Sequence, residues 1–239
     1  DYTEHANRYE PDSSARTTLH QERQWLASLA PIENKSVHRV ESSGIFKHVK
    51  ASHVDHTAAS SIKSRDLQLR SHWHTLFQTL LSNPSNKINI LSVNWSARFI
   101  RQSLLSAFST LPSSQNETLN SYIQNMEINA NEISNLDHVD GSDGKLSKDS
   151  SAGIRTSADK LLRLPPRCQQ KLDNAVSTGK TSEQEEGIVV YIGDSATDLE
   201  ALLAADVGIC IRDDPMGSSQ QELSDTLQRI GVSVRRIGE

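Results

Sequence analysis

Two stretches in the first third of the chain, RQWLASLAPIE (Arg23 to Glu33) and HWHTLFQTLLS (His72 to Ser82), place apolar residues three and four positions apart. That spacing gathers them on one stripe of a helix, so the polar, Ser-, His- and Arg-rich region from Asp1 to about Asn83 reads as helical. From Lys87 the texture changes. Short β-branched runs now alternate with helical patterns, in the order INILSV, ARFIRQSLLSAF, YIQNMEINANEI and GIVVYIGDSATDLEALLAADVGICI. Strands alternating with helices predict an α/β core with a parallel sheet. The pattern divides the chain into a helical region over 1–85 and an α/β region over 86–239. Ser142 to Ser157 and Ser177 to Glu186 are rich in Ser, Gly and charge and read as loops. No internal repeat is visible.

The last of these stretches is the most informative. Ile188 to Ile192 form a β-branched and aromatic run, as expected for a strand buried on both faces, and Gly193 ends it. Thr197 followed by Glu200 fits a capping box, with Leu199, Leu202 and Leu203 at helical spacing, so a helix is predicted from about Asp198. Val207 to Ile211 then supplies a parallel neighbour strand, and the segment becomes a compact βαβ unit. Ligands of open α/β sheets bind at the carboxyl ends of the strands. Asp194 and Asp198 fall there, and their hard oxygens suit Mg²⁺. An Asp before a helix is often only a cap. Two features argue for more: Thr197 is available as the cap, and a carboxylate at a buried strand's end is costly unless something binds it.

The stretch KINILSVNWSARFIRQSLL repeats this logic. Ile88 to Leu91 form the strand, Ser92 to Ser96 the turn, and Phe99, Ile100, Leu104 and Phe108 the buried stripe of a helix. Ser92 lies at the strand's end, where its hydroxyl and free amides of the helix start can donate to a phosphoryl oxygen. Taken alone, Ser92 and Ser96 fit simple helix caps equally well. A third element, GIRTSADKLLRL, sets Lys160 near a helix start, a position opposed by the macrodipole unless an anion sits there.

Composition narrows the function classes. The 239 residues can bury a sizeable core, and a net charge of −5 argues against a nucleic-acid or membrane-surface binder, which would show a basic face. Only Cys168 and Cys210 are present, without zinc spacing, which fits a reducing, cytoplasmic setting. No apolar run approaches the roughly 20 residues of a membrane span. STGKT (Ser177 to Thr181) lacks the upstream Gly of a phosphate-binding loop and reads as a surface turn. His48, His53, His56, His72 and His74 match no zinc motif. The sequons NKS, NWS and NET carry meaning only in a secreted chain.

The order NILS, SADK and GDSATD on successive α/β elements resembles motifs two, three and four of the haloacid dehalogenase-like phosphohydrolases. INANEISNLDHVDGSDGKLS resembles the Asn-containing strand and Asp-Gly turn of their phosphoserine-phosphatase-like branch. Within that branch, LSVNWSARFIRQSL with NANEI is most similar to phosphatase domains of plant thiamine monophosphate phosphatases and related fungal proteins. The likeness covers about Lys87 to Arg212. It implies a Rossmann-like parallel sheet with an N-terminal helical cap, and Mg²⁺-dependent hydrolysis of a small phosphorylated metabolite through an aspartyl-phosphate. Ser92, Val93, Asn94 and Lys160 would contact substrate, Ser92 donating to a phosphoryl oxygen and Lys160 offsetting charge. Asp194 would bind Mg²⁺, and Asp198 would hold a metal-bound water or orient Asp194. The family's first motif, Asp-x-Asp, which supplies the nucleophile, occurs nowhere in the chain. The absent Met and the helix-like opening DYTEHANRYE favour an upstream nucleophile strand; without it the sheet would be incomplete and the chain poorly folded and inactive. The alternative is a noncatalytic binding or regulatory protein of the same fold. A receiver-like signalling domain has no place for the long helical region. Oligomeric state is not legible in the sequence.

Overall fold

The computed structural model describes residues 4, 13–111, 116–148, 153–174 and 187–236. Their helices, in chain order, are α1 (Leu19–Ser28), α2 (Ala30–Ser43), α3 (Ala51–Ser64), α4 (Trp73–Leu81), α5 (Ala97–Phe108), α6 (Asn116–Asn125), α7 (Ser157–Leu161), α8 (Pro166–Asn174), α9 (Leu199–Ala204) and α10 (Ser218–Arg229). The strands are β1 (Ile90–Leu91), β2 (Ile128–Asn129), β3 (Val190–Gly193) and β4 (Val207–Cys210). The chain is a mixed helix and sheet protein in which β1 pairs with β2 and β3 with β4, both in parallel. The helical reading of the first third holds at both stretches, α1 with α2 and α4. Ser177 to Glu186, including STGKT, and all of DYTEHANRYE except Glu4 lie outside the described residues.

The fold packs as two units. Val37 to Ile154 make one, and the boundary at 85/86 that texture suggested falls inside it. Leu104, Phe108, Leu119, Ile123 and Met126 form its main core, against which Trp73, Phe77 and Ile90 pack half-buried. α5 follows from its sequence: Ser96 caps it by accepting from the Phe99 amide, and Leu104, Ala107 and Phe108 are buried along one stripe. A smaller cluster of Ala51, Val54, Ile133 and Leu136 joins α3 to the segment after β2. The strand expected over Ile88 to Leu91 is shorter, pairing only at Ile90 and Leu91.

The described residues up to Ser36, with those from Arg155 onward, make the other unit. Its core joins Leu26 of α1 to Leu199, Leu202, Leu223 and Leu227. Two buried carboxylates tie α1 into it, Glu22 pairing with Arg16 and Arg229 at 2.9 and 2.8 Å and Glu200 with Arg23 at 2.7 Å. The βαβ unit forms as expected, with Val190 opposite Val207 and Gly193 opposite Cys210. α9 lies so close to β4 that a Cβ on Gly208 would sit 2.4 Å from the Leu202 carbonyl oxygen.

The expectation of a strand buried on both faces is corrected. Ile188, Val190 and Ile192 are 78%, 52% and 45% exposed. Tyr191 and Cys210 pack into the leucine core on one face of the pair, while Val190, Ile192 and Val207 stand on the other face and are exposed. An aliphatic run reads the same whether one face or both are covered. On its edge away from β4, β3 has no strand partner among the described residues.

Candidate active site

Asp198 organises the turn after β3. Its Oδ1 accepts from Lys160 Nζ at 2.6 Å and from Tyr191 Oη at 2.7 Å. Its Oδ2 accepts from the Ser195 hydroxyl at 2.8 Å and from the amides of Ser195 and Asp194 at 3.1 and 3.2 Å. Lys160 also donates to the Thr197 hydroxyl at 3.1 Å. Asp198 and Lys160 are each 5% exposed. Burial opposes ionisation of Asp198, but the Lys160 ammonium and the donors around it outweigh that and hold the carboxyl below its ordinary value. Gly193 is required by this packing, because a Cβ there would lie 2.6 Å from Cβ and Cγ of Asp198.

Three expectations change. The capping box is Ser195 with Asp198, two residues before Thr197 and Glu200, because a 3₁₀ turn over Ala196–Asp198 precedes α9. Thr197 faces Lys160, and Glu200 is drawn to Arg23. Asp198 is therefore both the cap and the buried ion partner. The desolvation cost assigned to Asp194 falls on Asp198 instead, since Asp194 is exposed at the strand's end. Finally, Lys160 lies in the last turn of the five-residue α7, which Thr156 and Asp159 cap, and the anion that accounts for it is Asp198.

Ser92, Val93 and Asn94 belong to the other unit. Ser92 follows β1, as the sequence suggests, and its Oγ accepts from the Asn94 amide at 3.1 Å. The α5 amides expected to meet a phosphoryl oxygen are already engaged: Ala97 with the Asn131 carbonyl, Arg98 with Glu132 Oε2 and Phe99 with Ser96 Oγ. The structure thus brings Lys160, Asp194 and Asp198 together and leaves the Ser92 hydroxyl as a donor without a protein acceptor among the described residues. Sequence reading missed Tyr191, Ser195 and Thr197 as partners of the acid and lysine. The one available signal was a polar-tipped Tyr inside an otherwise aliphatic strand.

For Mg²⁺, these residues offer one exposed carboxylate, Asp194, because both Asp198 oxygens are filled by protein donors. Mg²⁺ sites commonly use one or two carboxylates, with water and substrate phosphate completing the shell, and Asp194 fits such a role. Among the described residues, no group of three or more His, Cys, Asp or Glu side chains gathers to hold a metal ion. Nor is any described helix long and apolar enough to cross a membrane.

Tyr191 gives a pH test of this geometry. Burial first, then the Asp198 charge, pushes its phenol well above the ordinary value. The O–H contributes stability below the unfolded value of about 10 that is lost as pH rises through the folded one. Difference titration at 295 nm against Tyr191→Phe is expected to show one tyrosine that ionises only on alkaline unfolding. A Tyr191 that titrates near pH 10 with the fold intact would refute the contact with Asp198.

Comparison with protein-family models, with curated proteins and with solved structures finds no match to the chain.

Proposed function

We propose that the chain is a Mg²⁺-dependent phosphomonoester hydrolase of haloacid dehalogenase type, acting on a small phosphorylated metabolite. The observation that carries this reading is the acidic turn at the carboxyl end of a parallel βαβ unit, with Asp194 exposed at its rim and Asp198 locked beneath by Lys160. In this reading Asp194 is a metal ligand, and Asp198 fixes the Asp194 backbone through its amide. Lys160 keeps the turn's buried charge neutral, and the Ser92 hydroxyl donates to a phosphoryl oxygen. Bound Mg²⁺ would supply charge neutralisation on the phosphoryl oxygens. The nucleophile is an aspartate of an Asp-x-Asp strand that these 239 residues do not contain. The edge of β3 that has no strand partner among the described residues supports the reading, since an added parallel strand would pair with it.

A noncatalytic module of the same fold is the second reading. It is favoured by the complete filling of both Asp198 oxygens by protein donors. One assay separates the two. Protein expressed from its complete reading frame is expected to release phosphate from a generic phosphomonoester with Mg²⁺ and to stop when EDTA is added. Release unaffected by EDTA would refute the metal-dependent reading, and no release at all would favour the noncatalytic one.

A further inference from the structure

We propose that Asn131 is a positioning residue for Ser92, holding the Ser92 turn in the one conformation that leaves the hydroxyl proton for a ligand oxygen. This inference rests on the phosphatase reading for what the ligand is, and on geometry alone for the positioning. Asn131 is 5% exposed, and the two N–H bonds of its Nδ2 are shared among three carbonyls: Val93 at 3.1 Å, Asn94 at 3.0 Å and Ile154 at 2.9 Å. Its own amide donates to the Asn94 carbonyl at 3.1 Å, and its carbonyl accepts from the Ala97 amide at 2.9 Å. One residue thereby grips the middle of the turn and the first amide of α5. The neighbouring Glu132 completes the grip, its carboxylate accepting from the Ser96 hydroxyl at 2.6 Å and the Arg98 amide at 2.7 Å.

The consequence for Ser92 follows from peptide geometry. In a trans peptide the C=O and the next N–H point in opposite directions. Drawing the Val93 carbonyl onto Asn131 therefore turns the Asn94 N–H the other way, where it donates to Ser92 Oγ. With one lone pair of that oxygen already accepting, the hydroxyl keeps its proton and a second lone pair, and no described protein group takes the proton. The arrangement is costly, because Asn131 Oδ1 is buried without a partner among the described residues. A side chain kept for three donor contacts while its acceptor goes unmet is one whose donors matter.

The test is amide exchange by NMR, with inorganic phosphate as the probe. In Asn131→Ala, the Asn94 and Ser96 amides, which donate to Ser92 Oγ and Asn94 Oδ1, are expected to lose at least about tenfold of their protection, while Leu104 in α5 keeps its own. The phosphate-induced shift of the Ser92 amide is expected to vanish in Asn131→Ala. In a Ser92→Ala background, Asn131→Ala should weaken phosphate binding no further, a non-additivity that general loosening would not produce. Unchanged protection at Asn94 and Ser96, or equal weakening in both backgrounds, overturns the proposal. If protection falls but phosphate binding ignores Ser92→Ala, the positioning role stands and the phosphatase reading fails. Should Asn131→Ala not fold, the wild-type Asn131 side-chain amide decides: slow exchange supports the clamp, and exchange at the free-amide rate overturns it.

Discussion

Asp198→Ala is expected to lower the free energy of unfolding by about 3–5 kcal/mol, the range for breaking a buried ion pair from one side. The loss has two parts. Lys160 stays buried with its charge uncompensated, and Tyr191 Oη, the Ser195 hydroxyl and two backbone amides lose their acceptor together. Urea unfolding followed by circular dichroism measures it, with Asp225→Ala on an exposed part of α10 as a control that changes by less than about 0.5 kcal/mol. Lys160→Ala added to Asp198→Ala should cost less than alone, because the two residues are in contact. The pH dependence has a definite sign. Because the folded carboxyl lies below its unfolded value of about 3.9, its contribution is present above that pH and is lost as pH falls through the folded value. A loss under about 1 kcal/mol for Asp198→Ala would contradict the buried network.

Asp194→Asn should do the opposite, leaving stability almost unchanged while removing function. Its side chain is exposed, so the fold is expected to shift by no more than about 0.5 kcal/mol. As the proposed metal ligand it carries transition-state charge stabilisation, and phosphate release with Mg²⁺ is expected to fall by at least about 10²-fold, as for removal of a single charge-stabilising group. Steady-state rates across a Mg²⁺ series check this directly. Undiminished turnover in a folded Asp194→Asn variant would remove Asp194 from the site.

These two carboxylates also show how far the sequence could be read. The strand, acidic turn, helix and second strand were legible because their signals are local: aliphatic runs, a Gly-Asp junction and leucines at helical spacing all fall within Gly187 to Ile211. The helices at Trp73–Leu81 and Ala97–Phe108 were legible for the same reason. What the acids do was not local. Both Ser195-x-x-Asp198 and Thr197-x-x-Glu200 fit a capping box, and the choice was made by Lys160 and Arg23, residues 38 and 177 positions away from the acids they bind. Likewise, Ser92 to Ser96 announce a turn, but its conformation is set by Asn131 and Glu132, with Glu132 36 positions from Ser96. The exposure of Ile188, Val190 and Ile192 was hidden too, because an aliphatic run does not say what covers it.

The proposed hydrolase carries a phosphoryl group covalently on aspartate in turnover, and a rapid acid quench of the working protein followed by intact mass measures it most directly. Protein from the complete reading frame, mixed with Mg²⁺ and a generic phosphomonoester, is expected to gain the mass of one phosphoryl group, lost on treatment with hydroxylamine and mapped to an Asp-x-Asp aspartate. Turnover without any such adduct, or an adduct stable to hydroxylamine on Ser92, would contradict the account.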